Sequence, residues 1–273
     1  MQPLTMTCSY GLKSAIDLRR AVQSRDIEGW CRYSTLLTTQ ANPKTAKNSR
    51  VGDYTAILHL APAVLSGRDV CPWRSPGCTA ACLHTAGNTQ YLKAKTTARI
   101  ARTHLFFQDR PLFLALLRRE IEAHVRRAVS LGMHPSVRLN GTSDIPWEKM
   151  DLMDQFYHGG LTFYDYTKSP DRAIAQPYHL TFSRSECNDH DCQRVLANGG
   201  TVAVVVEGYG ISRHPRPLPS MSCMFGPAYS VIDGDTHDAR YRDRSPAIVA
   251  LRAKGDAIGD TSGFVVPRST FQC

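Results

Sequence analysis

No stretch of this chain approaches the roughly 20 consecutive apolar residues that a membrane-spanning helix needs. A membrane partner is therefore not expected. Met1 to Tyr10 lack the charged start and apolar run of a secretory signal, so a soluble, cytoplasmic protein is expected. Acidic residues are outnumbered: 24 Asp and Glu face 33 Lys and Arg, a formal charge of +9. That excess favours nucleic acid or another polyanion as partner, with a basic but merely solvated surface as the plain alternative. The chain also lacks an even number of cysteines. Nine is an odd count, which does not suit a secreted disulfide framework.

The chain does hold 273 residues, 42 % of them hydrophobic, enough for one large α/β domain with a full core. Residues 1–50 read as an N-terminal extension. Lys13 to Gln23 forms a helix with Ile16, Leu18 and Val22 partly on one side, and Thr38 to Arg50 is a loop or arm carrying Lys44, Lys47 and Arg50. From residue 51 to 273 the texture changes to short apolar strands, each followed by a turn or helix. Strands are expected at Thr55–Leu60, Ser136–Leu139, Leu161–Tyr166, Tyr178–Phe182, Thr201–Val206 and Tyr229–Ile232, with Ala247–Leu251 a seventh or an edge. Helices are expected at Thr89–Thr103, Pro111–Leu131, Trp147–Tyr157 and up to Ala197. The second of these alternates Leu112, Leu116, Ile121 and Val125 with Arg118, Arg119, Arg126 and Arg127.

Most strands end in polar residues: Asn140 to Asp144, Asp165 to Lys168, Ser183 to Glu186, Glu207-Gly208 and Asp233 to Asp235. In parallel α/β barrels the functional groups sit at such C-terminal strand ends. The fold class expected is thus a partial (β/α)6 TIM-like barrel with an N-terminal helical and basic extension. Asn140, Asp165, Ser185 and Asp233 should open onto one cavity together with the cysteines of the loop at 70–83.

That loop holds Cys71, Cys78 and Cys82 in a C-x6-C-x3-C pattern. Pro72, Pro76 and Gly77 make its first half turn-rich, able to wrap thiolates around one point. Cys78 and Cys82, four apart, share a face on a starting helix. Three thiolates are one short of a closed site, which suits a [4Fe–4S] cluster with one iron left for a ligand. Two other readings stay open: a zinc site completed by His84 or a distant cysteine, and buried thiols without a ligand. Cys187, His190 and Cys192 lie close in sequence and could form a second metal site or an exposed helix start.

With strand one, the cysteine loop and five further strands in that order, residues 54–240 resemble the radical S-adenosylmethionine (SAM) enzymes. The usual spacing in that family is C-x3-C-x2-C; here the gaps are six and three. The resemblance implies a [4Fe–4S] cluster on Cys71, Cys78 and Cys82, with SAM as second cofactor. It implies that Asn140, Gly141 and Thr142, with Ser143 and Asp144, stand where a glycine-rich element holds the SAM amino group. Ser183, Ser185 and Glu186 stand where the ribose or the methionine carboxylate is held. Tyr164, Asp165, Tyr166 and Lys168 would line the same mouth and position substrate.

Three further segments resemble a family of bacteriophage gene products over most of residues 34–266: His59 to Ala63, Arg138 to Glu148, and Asp165 to Lys168. That likeness implies a location in the host cell cytoplasm. Both resemblances suit a phage enzyme, isomerase or transferase, acting on modified thymidine in DNA, of the glycinyl-thymidine isomerase type. The alternative is a non-catalytic phage nucleic-acid-binding protein with a structural iron–sulfur or zinc site. There Arg118, Arg119, Arg126 and Arg127, with Lys44, Lys47 and Arg50, would grip phosphates.

Overall fold

The computed structural model describes residues 20–21, 23–24, 35–39, 43–82, 92–157, 159–174, 178–211 and 214–273. Most of the expected helix Lys13–Gln23, and His84, lie outside the described residues. A short β1 (Leu37–Thr38) precedes β2 (Asp53–Leu58), β3 (His134–Arg138), β4 (Thr162–Thr167), β5 (His179–Ser183) and β6 (Thr201–Val206). A small hairpin of β7 (Gly210–Ile211) and β8 (His214–Pro215) leads to β9 (Met221–Ser222), β10 (Tyr229–Asp233) and β11 (Ala247–Arg252). Nine of these strands form one sheet in the order β1-β2-β3-β4-β5-β6-β11-β10-β9. From β2 to β10 the neighbours run parallel, and β1 and β9 are antiparallel edges.

The protein is therefore α/β with a mostly parallel sheet, but that sheet is open. β1 and β9 end it without pairing to each other. The sequential order holds from β2 to β6 and then breaks, because β11 lies between β6 and β10. Its composition explains the place it takes. β11 is buried at five of its six residues and pairs along the whole length of β6, whereas β10 pairs with β11 over three residues. The strand that can bury both faces goes inside.

The helices are α1 (Pro43–Asn48), α2 (Pro76–Ala80), α3 (Leu92–Gln108), α4 (Arg110–Ser130), α5 (Asp154–Tyr157), α6 (Pro170–Ile174), α7 (Asp189–Ala197) and α8 (Arg268–Phe271). On one face of the sheet, Leu105 and Phe106 of α3 and Phe113, Leu117 and Ile121 of α4 share a core with Ala56, Leu58, Val137 and Phe163. A second core joins β6, β10 and β11 to α7 and to Tyr209, Phe225 and Phe271. A disulfide between Cys223 and Cys273 ties the C-terminal end to the chain after β9. These two cysteines had no expected partner. Among the described residues no helix is long and apolar enough to cross a membrane.

Alternate residues of β2, β3 and β4, among them Thr55, Ser136, Arg138 and Tyr164, are polar and buried. Thr55 and Ser136 share a hydrogen bond of 2.7 Å, and Arg138 Nη1 donates to Asp238 at 2.7 Å. Residues 234–244 cross this face. Asp238 meets Arg138 and Tyr164 there, and Arg242 pairs with Asp53 through two 2.7 Å bonds. The stretch expected as a basic arm joins them. Asn48, fully buried, donates to Thr55 Oγ1 and the Tyr164 hydroxyl and accepts from Asp238 N. A polar sequence without apolar period reads as an arm, yet here it folds as α1 because its partners are polar too.

α4 is fixed to this sheet by His124. Its Nε2 contacts the carbonyls of Tyr54 and Ser136 at 3.0 and 3.1 Å, and its ring stacks on Tyr54 at 4.8 Å. Burial pushes the imidazole down to about 4, against the two carbonyl bonds. Between pH 6.5 and about 4 the unfolded chain then binds the extra proton, so acidification through that window should remove about 3 kcal/mol of stability. Urea unfolding of wild type and His124→Gln across this range checks it. The variant should show a flatter dependence, and an identical one would contradict the assignment.

Candidate functional site

Because β2 to β6 and β11 run parallel, the loops after them share one edge of the sheet. The cysteine loop follows β2 and crosses that edge. Cys78 and Ala81 pack against Ala253, Ala257, Phe264 and Val265, which follow β11. Its turn is locally encoded. Ser75 caps α2 by accepting from Cys78 N at 3.1 Å, and Pro76 stands at the first helical position. Glu186, after β5, clamps the same helix start: its carboxylate accepts from Ser75 Oγ and Gly77 N, both at 2.7 Å. Gly77 is required for this fit, since a Cβ there would lie 2.4 Å from Ser262 Oγ and 2.7 Å from Glu186 Oε2. Gly77→Ala should therefore shift α2 and lower the melting temperature. An unchanged transition would show that the loop has room to give.

Cys71, Cys78 and Cys82 are half-buried and stand outside the disulfide. Together with Pro62 to Leu65 and Arg74 they line one cavity of about 240 Å³. Cys71 Sγ accepts from Ala63 N at 3.4 Å and donates to the Thr142 carbonyl at 3.8 Å. Burial pushes the Cys71 thiol up to about 12, with Cys82 and Cys78 adding to the rise. Cys78 is raised by burial and eased by the Lys168 ammonium. Bare, Cys71 and Cys78 hold their protons at neutral pH, and a bound cation would favour the thiolates. Among the described residues no three His, Cys, Asp or Glu side chains form a group able to hold one metal ion. The expected second group gathers none either: Cys187 is exposed, while buried Cys192 contacts Asn188.

Several of the other expected site residues also reach the cysteine loop. Thr142 does so through its carbonyl, and Gly141 leaves no room for a Cβ, which would lie 2.5 Å from His59 and Ile57. Lys168 Nζ donates to the Ser183 hydroxyl at 3.0 Å and to the Arg184 carbonyl at 3.1 Å. Ser185 Oγ meets Cys187 rather than the loop, and its backbone N donates to Asn188.

Others are engaged in holding the fold. The Asn140 side chain donates to Ile145 O and accepts from Ser143 Oγ, Ile145 N and Trp147 Nε1. Asp144 accepts from Lys168 N and pairs with Arg172, and the Asp165 carboxylate takes Leu139 N, Asn140 N, Tyr178 OH and Arg138 Nε. Tyr164 and Tyr166 lie against Arg138 on the polar sheet face, with ring centroids 5.8 and 4.9 Å from its guanidinium. Asp233 pairs with Arg252 instead of opening toward the cysteines. The expected convergence of Asn140, Asp165, Ser185 and Asp233 on the cysteine cavity is thus not seen, since none of the four lines it.

Sequence reasoning missed Ser75 and Arg172. The Ser-Pro pair before Gly77 is a legible helix-start signal. Nothing local marks Arg172, whose partners Asp144 and Glu148 lie more than 20 residues away.

A family model described as Gene product 88 matches residues 31–268. The chain belongs to the Gene product 88 family. That is a family of phage gene products, and its match spans every residue of the cysteine loop and of the strand ends around it. Comparison with curated proteins gave no match, and neither did comparison with solved structures.

Proposed function

We propose that this Gene product 88 protein is an iron–sulfur, SAM-dependent radical enzyme, an isomerase or transferase that acts on a modified nucleotide in phage DNA. One observation carries the reading: three cysteines outside the disulfide line a single cavity in the loop after the first parallel strand. The sequential run from β2 to β6 is read as the partial TIM-like barrel of such enzymes. Among the described residues no carboxylate or imidazole lines the cavity, and a set of sulfur donors suits an iron–sulfur cluster. Thiolates of a cluster bind different irons and need not crowd around one point. That fits the spread of these three better than one zinc ion does.

Cys71, Cys78 and Cys82 would hold the [4Fe–4S] cluster, leaving one iron for the amino-acid end of SAM. When bound, the cluster supplies the electron that cleaves SAM. The chain's own residues set the frame. Ser75 and Glu186 fix the helix carrying Cys78, Ala63 N donates to Cys71, and Lys168 brings positive charge beside Cys78. Under a strong reductant without oxygen, the loaded protein should release 5′-deoxyadenosine from SAM. No product from protein with its full iron content would overturn the enzyme reading.

A second reading has an observation in its favour. Asn140, Asp144 and Asp165 are engaged in structural hydrogen bonds, as a non-catalytic DNA-binding protein with a structural metal would allow. In that reading Arg118, Arg119 and Arg126 would contribute little to phosphate binding, being paired with Asp151 and Glu122.

A further inference from the structure

Beside the cysteine cavity stands a tryptophan that the fold does not bury. Trp73, between Cys71 and Arg74, is 39 % exposed, whereas Trp147 is fully buried. Its ring is nonetheless held. The Arg172 guanidinium lies over it, 5.6 Å from the ring centroid, and is itself buried and fixed by two bonds to Glu148 of 2.7 and 3.0 Å and by Asp144. A ring braced on a locked cation is a rigid platform, with little rotamer freedom left to lose on binding. Val64 and Leu65, at the cavity itself, are 56 % and 44 % exposed, so the apolar surface continues from the thiols outward. Clusters of exposed apolar groups of this kind mark interaction sites.

The charge on the cysteine loop and the adjoining helices selects the partner. Arg68 and Arg110 are both exposed and lie over the adjacent rings of Phe107 and Phe106, at 5.7 and 4.6 Å. Apolar side chains alone would suit a peptide. Arg68 lies in the chain between Leu65 and Cys71, which both line the cavity, and Arg110 sits over the ring next to the one that Arg68 covers. An exposed aromatic on a loop with exposed guanidinium groups at its cavity, in a chain of formal charge +9, suits a base with its phosphates. We propose that Trp73 is the stacking platform for an unpaired nucleobase at the rim of the cysteine cavity, with Arg68 and Arg110 taking the flanking phosphates. The inference rests on the nucleic-acid reading of this protein and adds a single-stranded or flipped-out nucleotide as the form bound. Trp73 is two residues from Cys71, so a base stacked on it would be held by the same loop that carries the thiols.

The test uses the full chain, prepared without oxygen, and a fluorescein-labelled oligothymidylate of about 16 nucleotides followed by anisotropy. Trp73→Ala should weaken binding by about fivefold to hundredfold, and Trp73→Phe by clearly less, because stacking is what is removed. The salt slope of Trp73→Ala should match wild type. Arg68→Gln with Arg110→Gln should flatten it by roughly 0.7 for each phosphate no longer neutralised. Iron content and melting temperature, measured on each variant, report that loop and fold are intact. If wild type binds and Trp73→Ala binds equally, the platform is refuted alone. If wild type does not bind at low salt, the nucleic-acid reading falls and the platform with it.

Discussion

Replacing Cys78 with alanine should take the protein from about four irons and four labile sulfides per chain to nearly none, and Cys71→Ala and Cys82→Ala should do the same. The three sulfurs share their setting: each is half-buried and on the wall of one cavity. A cluster held at three points has no redundant ligand, so one missing thiolate removes the whole group rather than a third of it. Cys187→Ala is the natural control, since that thiol is exposed and meets Ser185 away from the cavity. Cys273→Ala is a second. It should open the bond to Cys223 and lower stability by about 2–4 kcal/mol while leaving iron unchanged. Iron and sulfide analysis on anaerobic protein reads all of these. Full iron in any one of the three cavity variants would remove that residue from the ligand set.

Asp165→Ala should be the most damaging change outside the cysteines, and its effect should fall on folding. The carboxylate is fully buried and has four donors: Leu139 N and Asn140 N at 2.8 and 2.9 Å, Tyr178 OH, and Arg138 Nε at 3.3 Å. β3 pairs with β4 only through Ser136 and Val137, so Asp165 takes up the amides that the ladder leaves at the strand end. Removing it strands two buried amides and leaves Arg138 with Asp238 as its remaining carboxylate. A loss of about 3–5 kcal/mol is expected, and a fall in melting temperature of roughly 10 °C. Thermal unfolding beside SAM cleavage per folded molecule separates support from chemistry. A stable Asp165→Ala protein with no cleavage would give the carboxylate a direct part in the reaction.

The contrast between these two sites marks what could be read from the residues alone. Thr201–Val206 was expected and found as β6, and β2 to β5, β10 and β11 fall within about two residues of their expected bounds. Apolar, β-branched runs between turn residues announce themselves. The place of β11 does not, because pairing is decided by which strand can bury two faces once the others are in position. The gathering of Cys71, Cys78 and Cys82 on one cavity was legible from a turn-rich loop leading into a helix start. The duties of Asn140 and Asp165 were not. A polar residue at a strand end reads the same whether it faces a ligand or fastens a backbone amide, and only the positions of Trp147, Tyr178 and Leu139 decide it.

The claim that three thiolates leave one iron open to SAM has its most direct test in magnetic resonance of the reduced, iron-loaded protein with and without SAM. The structure offers three sulfur ligands at the cavity and, among the described residues, no histidine or carboxylate lining it as a fourth. Added SAM should therefore shift the reduced cluster's signal. A spectrum left unchanged by SAM, from protein holding its full four irons, would contradict an open iron and leave the cluster a structural or electron-transfer role.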